Sequence, residues 1–417
     1  MRNQPSYLHQ IHEYEGTPYE IGYQRGKRTA ELLRKDLAKH SFGNPYWKDR
    51  WPKPEDYNLD YLEENHPARF KEWERALEKT PEWFREEARG NAEGAGVSYE
   101  KLIIATSWFP VMFPVKNPRE TSTPELDCNG FVAYGDATAD GSPLIGGNAE
   151  TDHASLKRFT MVRVKNKVGN SFVMATKKPQ FGSSQCGMNE KGVCLFGSGV
   201  SIKPELFGEL GYRQVIRRIV LQEADDLDEA IDIMKAGPRM GGQHIYLADS
   251  KRAVHIEYAG DNIEVIDPEN GFDAGSSPYF STPKTREWCN VVADETDPKW
   301  SYMVAKTRGV FRMERYHELF KQHRPLTVEK MPTILGDHGG RGSGIVREYM
   351  EGACPQGSDF TICAHGRPSR GIGGTSGVAG SFHASSYSNI SDPARLTLWI
   401  AAGNACEAGY FPFHPPR

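Results

Sequence analysis

The stretch Asp127-Cys128-Asn129-Gly130-Phe131-Val132-Ala133-Tyr134, followed by Asp136-Ala-Thr-Ala-Asp-Gly141 and then Pro143-Leu-Ile-Gly-Gly-Asn148-Ala-Glu150, decides the fold. Phe131–Tyr134 and Pro143–Gly146 are short β-runs, and the Asp- and Gly-rich loop between them predicts a hairpin. Upstream, residues 113–125 carry three prolines and several Ser/Thr, the composition of an exposed linker. Cys128 therefore stands where a linker gives way to a β-run. If the Asp127-Cys128 bond were cut, Cys128 would present a thiol and its own α-amine at a strand tip. An α-amine titrates at about 7.7–8.0, so it can act as general base to a neighbouring thiol without a histidine. Spacing alone leaves a second reading open, since a lone cysteine in a β-run is usually a small buried hydrophobe. At the far end of the hairpin, Asn148, Glu150, Asp152 and His153 form a polar cluster that the hairpin would return beside Cys128. There an amide could orient a substrate carbonyl and a carboxylate could hold an α-ammonium; a solvated loop is the alternative.

Outward from the hairpin the pattern divides the chain. Residues 1–127 read as mostly helical, with helices over 19–40, 67–79, 81–95 and 99–109, punctuated by Thr80-Pro81 and the Gly94/Gly96 pair. Residues 128–417 alternate: strands near 159–164, 172–175 and 193–196, helices over 211–223 and 226–236, strands at 244–248, 253–258 and 262–266, helices over 302–322 and 328–335, and a final strand at 396–402. Strands, helices and strands again indicate an α+β fold with helix-covered sheets. There is no internal repeat of fixed period.

The 417 residues suffice for two lobes or one large layered domain, and 51 basic against 55 acidic residues give a net charge of −4. Such a balance does not gather nucleic acid or an anionic membrane, so neither is expected as a partner. No run of roughly 18 apolar residues suggests a membrane span and no apolar leader opens the chain, so a cytoplasmic protein is expected. Seven cysteines, odd in number and without a CxxC pair, suggest neither a disulfide framework nor a zinc site. His338, His365 and His383 with Asp337 lack a compact ligand spacing such as HExxH. The glycine-rich runs at 339–344 and 371–377 lack a Walker lysine, so they read as loops lining a mouth. No metal and no cofactor are expected.

The run Asp127-Cys128-Asn-Gly-Phe-Val, Asp140-Gly141 and Gly146-Gly147-Asn148-Ala149-Glu150 resembles the nucleophile hairpin of the acyl-coenzyme A:6-aminopenicillanate acyltransferase family of autoproteolytic acyltransferases and hydrolases. More distantly it is similar to the choloylglycine hydrolases. Gly16-Thr-Pro-Tyr-Glu-Ile-Gly22-Tyr-Gln-Arg-Gly26, Gly187-Met-Asn189-Glu-Lys-Gly192, Ala248-Asp-Ser to Ile256-Glu257, Asp337-His338, Ile362-Cys363-Ala-His365 and His383 to Cys406 follow in the family's order over some 390 residues. The resemblance implies an N-terminal-nucleophile hydrolase with an αββα sandwich, matured by cleavage between Asp127 and Cys128. Residues 1–127 would become an α segment and 128–417 a β segment, held as a heterodimer. Cys128 carries over as nucleophile, Asn148 as the asparagine after the hairpin, and Glu150 stands where the family has aspartate. Three positions depart. The family's oxyanion asparagine aligns with Ser277. Its late arginine falls near Phe382, leaving His383 as the closest polar residue, and the choloylglycine-type arginine is Gly147. The residue before the cysteine is Asp127 where glycine is common. The implied activity is hydrolysis of a linear amide, N-acyl or peptide-like, through a Cys128 thioester. The alternatives are acyl transfer to an amine and an uncleaved, non-catalytic member of the fold. Asp152 and His383 are candidate contacts to a small amide substrate.

Overall fold

In the computed structural model, which describes residues 11–38, 60, 63–64, 67–106, 128–152, 158–178, 186–200, 202–208, 215–277, 279–289, 298–340, 361–364, 367–368 and 382–416, the hairpin is formed by β2 (Asn129–Gly135) and β3 (Gly141–Asp152). Gly135 and Gly141 both have positive φ, 60° and 77°, the left-handed backbone region that glycine enters without a Cβ clash. Asp140 Oδ1 accepts the Ser142 amide at 3.0 Å and closes the turn.

This hairpin lies within a seven-stranded sheet. Its path is β11 (Phe272–Ser276), β2, β3, β13 (Phe382–Asp392), β14 (Thr397–Ala402) and β15 (Tyr410–Phe413), with β12 (Arg367–Pro368) paired to β13. An eight-stranded sheet carries β1 (His12–Gly16), β4 (Phe159–Asn166), β5 (Phe172–Lys177), β6 (Cys186–Asn189), β7 (Cys194–Val200), β8 (Gly242–Ala248), β9 (Ala253–Ala259) and β10 (Asn262–Ile266), in that order. All neighbours in it run antiparallel except β1, which pairs in parallel with β4. The period-two alternation of the strands sorts side chains onto two faces. Val132, Ile145 and Ala149 face the other sheet and pack with Met161, Phe196 and Tyr246. Phe131, Ala133 and Leu144 face outward, onto α8 (Pro298–His323), which follows the one-turn α7 (Pro283–Arg286), and onto α9 (Met331–Leu335), through Tyr316, Phe320 and Leu335. The outer face of the eight-stranded sheet is covered by α5 (Val215–Glu223) and α6 (Leu227–Ala236), with Ile21 of α1 (Pro18–Ala38). The order is helix, sheet, sheet, helix: the αββα sandwich expected from the sequence.

The N-terminal segment is helical as read, over α1, α2 (Pro67–Glu78), α3 (Glu82–Ala95) and α4 (Tyr99–Thr106), but it also contributes β1. Thr17 and Glu20 form a capping box: the Thr17 amide donates to Glu20 Oε2 at 2.7 Å and the Glu20 amide to Thr17 Oγ1 at 3.3 Å, with Pro18 in the first turn. Gly94 does not interrupt α3, which runs to Ala95 and ends at the left-handed Gly96. The glycines instead let α1 and α3 touch backbone to backbone. A Cβ built on Gly22 or Gly26 would lie 2.0 or 2.1 Å from the Glu87 or Asn91 carbonyl oxygen, and one on Gly90 or Gly94 would lie 2.1 or 2.2 Å from that of Tyr19 or Tyr23. Beneath this crossing Glu87 is shared by two buried guanidiniums, Arg25 at 3.4 Å and Arg218 at 3.2 Å. No helix among the described residues is long and apolar enough to cross a membrane.

Candidate active site

Cys128 immediately precedes β2, in the position that pairing of Asn129 with Asn148 assigns to the head of the hairpin. Its backbone is held by the Ser277 amide, which donates to the Cys128 carbonyl at 3.0 Å. Its Sγ accepts the Glu150 amide at 3.4 Å and lies 4.0 Å from the Glu150 carbonyl oxygen. The thiol points between the sheets, in the cluster that contains Ala149, Phe159, Cys186, Tyr246 and Tyr387, and the residue is only 4% exposed. Burial, and after it the neighbouring Cys186 and Cys128, push the Tyr387 phenol well above its usual range, so that it stays protonated.

The second half of the expected constellation lies on the opposite face. Asn148 and Glu150 alternate with Ala149, so they project toward α8 and α9 while the Cys128 thiol projects inward. Asn148 Nδ2 donates to the Leu335 and Ile362 carbonyls at 2.9 and 2.8 Å, and its Oδ1 accepts the Ser388 hydroxyl at 2.6 Å. Glu150 Oε1 meets Arg312 Nη2 at 2.8 Å and the Asn129 amide at 3.2 Å; Glu150 and Arg312 side chains are 1% and 0% exposed. Asn129 also donates to the Ile362 carbonyl at 3.0 Å and accepts the Tyr316 hydroxyl at 2.5 Å. Arg312 Nε reaches the Thr361 carbonyl at 2.7 Å. The hairpin thus brings the backbone of Glu150 to Cys128, as expected, but sends the two polar side chains through the sheet into a network with α8 and residues 361–364. Proximity in the hairpin does not settle which face a side chain takes, and that is where the expectation differs from the structure.

Ser277 is placed beside Cys128 through its backbone, while its hydroxyl donates to the Gly199 carbonyl in β7 rather than lying open. Asp152 and His383 are register partners across β3 and β13, so their strand positions are adjacent. Asp127, His153 and His365 lie outside the described residues. Arg312, Asn129 and Tyr316, which hold the Glu150 network, were not singled out from the sequence; nothing in the spacing of 129, 150 and 312 connects them. Arg217 of α5 was also missed. Gly197 makes room for it, since a Cβ there would lie 2.5 Å from Arg217 Cζ, and its guanidinium donates to Gln243. Burial lowers the Arg217 pKa, while Tyr258, Tyr387, Cys128 and Cys186 act in the opposite sense.

Among the described residues, two clusters could hold a metal by donor type. His244, His255 and Glu257 are buried between the sheets, but their donor atoms are engaged with one another and with the protein. His244 Nδ1 is 2.9 Å from His255 Nε2, His244 Nε2 3.0 Å from the Tyr279 carbonyl, and His255 Nδ1 2.7 Å from Asp273 Oδ2. Glu257 accepts from the Ser281 amide and the Thr285 hydroxyl at 2.6 and 2.5 Å. This is a closed proton-sharing network. Burial opposes the His255 cation, yet Asp273 and Glu257 together raise its pKa; burial likewise opposes the Glu257 anion, yet His244 and His255 bring it down to about 2. The second cluster is His338, Cys363 and Cys406.

No family model matches the sequence. An uncharacterized protein from Archaeoglobus fulgidus is 28% identical over 260 residues, which is 56% of this chain and 40% of that protein. The chain therefore spans less than half the length of the curated relative it matches. Among solved structures, a variant of conjugated bile acid hydrolase from Clostridium perfringens shares 11% identity at a TM-score of 0.39, over 70% of this chain and 99% of its own. A Caenorhabditis elegans ortholog of N-acylethanolamine-hydrolyzing acid amidase shares 12% at 0.39, over 64% and 93%. Penicillin V acylase from Agrobacterium tumefaciens shares 12% at 0.37, over 69% and 86%. Likenesses this low decide nothing about chemistry, which rests on the residues themselves.

Proposed function

We propose that the chain is a self-cleaving cysteine amidohydrolase in which Cys128 is the nucleophile. The observation that carries this reading is the placement of Cys128: a thiol at the head of a central strand of an αββα sandwich, directly after a linker-like stretch, with the Glu150 amide on its sulfur. In maturation, Sγ attacks the Asp127 carbonyl carbon, the Cys128 nitrogen leaves, and water hydrolyses the resulting thioester. The products are an Asp127 carboxylate and a free Cys128 α-amine. Residues 1–127 stay attached, because β1 pairs with β4 and Ile21 of α1 packs in the outer core.

In turnover the α-amine takes the thiol proton and Sγ attacks the substrate carbonyl. The amine leaving group takes that proton, and water resolves the thioester. The Glu150 amide is a backbone donor already directed at the sulfur, and such donors can stabilise charge on a neighbouring oxyanion. Glu150, Asn129, Arg312 and Asn148 act as positioning residues that fix the hairpin. Hydrolysis is favoured over transfer, because water is always at hand.

One observation favours a second reading, an uncleaved and non-catalytic member of the fold: the thiol is nearly closed off, and the Asn148, Glu150 and Ser277 side chains all have protein partners. The two readings separate when the chain is incubated with linear N-acyl amides, quenched in acid and digested. The catalytic reading requires an acyl adduct on the Cys128 peptide and release of the amine, both absent in Cys128→Ala. Turnover that survives Cys128→Ala, or no adduct with any linear amide, refutes it.

A further inference from the structure

His338, Cys363 and Cys406 come from three separate segments, the turn after α9, the short stretch 361–364 and the turn after β14, yet their ligand atoms all lie within 4.8 Å of one another. The two sulfurs are 3.7 Å apart. A disulfide needs about 2.05 Å. Two thiolates bound to one tetrahedral zinc at about 2.3 Å each stand about 3.8 Å apart. The observed separation matches two thiolates on one ion; in the metal-free protein the same distance is a thiol–thiol hydrogen bond from Cys363 to Cys406.

The donor set is selective. Two thiolates neutralise a divalent cation, which suits a site whose Cys363 is buried. Sulfur and imidazole favour zinc or another borderline d-block ion and disfavour magnesium and calcium. Cys406 is exposed and His338 half-buried, so an ion has a route in and a fourth position can be taken by water.

The ligands are also held in advance. Asp337, next to His338, is gripped in two-pronged fashion by Arg315 at 2.8 and 2.9 Å and accepts the Gly339 amide at 2.8 Å. The Cys363 amide donates to the Asp337 carbonyl at 3.1 Å, which locks the second ligand to the first. Fixed ligands of this kind reduce the ordering that metal binding must otherwise impose.

We propose that His338, Cys363 and Cys406 form a zinc-type metal site with one position open to water. The site would brace the nucleophile hairpin from behind. Ile362, one residue before Cys363, accepts from both Asn129 and Asn148, and Thr361 accepts from Arg312. An ion at Cys363 thus fastens the 361–364 stretch to the turns carrying His338 and Cys406. This site stands or falls independently of cleavage at Cys128.

The test is a cobalt(II) titration of the reduced, metal-stripped full chain, followed by absorbance. Wild type and Cys128→Ala should both develop a thiolate-to-cobalt charge-transfer band that saturates at one ion per chain and is abolished by added zinc. Cys406→Ser, a change at an exposed position that circular dichroism should show folded, loses the band. His338→Ala needs more cobalt to reach half-saturation. Absence of a band in wild type, a band unchanged in Cys406→Ser, or recovery of Cys363 and Cys406 joined as a disulfide from protein prepared without reductant overturns the proposal.

Discussion

Glu150→Gln is the substitution on which the two views of that carboxylate part. If Glu150 served substrate or an α-ammonium directly, its loss would remove activity and leave the fold intact. The structure instead pairs it with Arg312 at 2.8 Å, with both side chains at or below 1% exposure. At an effective dielectric of about 20 that separation corresponds to about 6 kcal/mol of Coulomb attraction, much of it spent on the desolvation of both ions. Removing one partner of a buried ion pair costs about 3–5 kcal/mol. Glutamine keeps an oxygen for the Asn129 amide and Arg312 keeps the Thr361 carbonyl, so the loss should fall near about 3 kcal/mol, at the low end of that range. Against a total stability of about 5–15 kcal/mol, this is a large fall in the urea midpoint. The double variant Glu150→Gln with Arg312→Gln removes the other half of the pair, so it should recover about 1 kcal/mol or more relative to Glu150→Gln alone. A midpoint unchanged in Glu150→Gln, with activity gone, would refute the positioning role.

Other expectations follow from the same geometry. Gly26→Ala should destabilise by about 2 kcal/mol in chemical denaturation even though alanine gains about 1 kcal/mol of helix propensity, because its Cβ would sit 2.1 Å from the Asn91 oxygen where ordinary contact begins at 3.4 Å. Gly26→Ala with Gly90→Ala should cost less than the sum, since one parting of α1 from α3 relieves both clashes; strict additivity would contradict that. In the buried histidine network the raised His255 pKa means stability that is fully present below its ordinary 6.5 and lost as pH rises through the higher folded value. The lowered Glu257 pKa means stability present above its ordinary 4.5 and lost as pH falls toward about 2. Denaturation midpoints of wild type minus Asp273→Asn should therefore shrink as pH rises above 6.5; a difference that stays flat counts against the coupling.

The layers were legible where side chains alternate plainly. Phe131 to Tyr134, the Asp140-Gly141 turn and the runs at 244–248 and 253–258 have the apolar periodicity and turn residues of paired strands. The Thr17-Pro18-Tyr19-Glu20 cap and the Asp226 cap, which accepts the Glu229 amide at 3.0 Å, mark helix starts in the sequence itself. The strand between β3 and β14 was not legible: Phe382–Asp392 has four serines among its 11 residues, small side chains that pack closely between two neighbours yet carry little β signal. The polar β1 and the small-residue β11 were missed for the same reason, as their partners are distant in sequence. At the site, Cys128 and its closeness to Glu150 followed from the hairpin. That Asn148 and Glu150 turn their side chains away from the thiol, and that Arg312 answers Glu150, depends on packing against α8 and residues 361–364, which no local pattern encodes.

The central claim is tested most directly by the intact mass, under denaturing conditions, of freshly expressed wild type beside Cys128→Ala. The account predicts two fragments meeting between Asp127 and Cys128 in wild type and one uncut 417-residue mass in the variant. An uncut mass in both, or a cut in both, contradicts it.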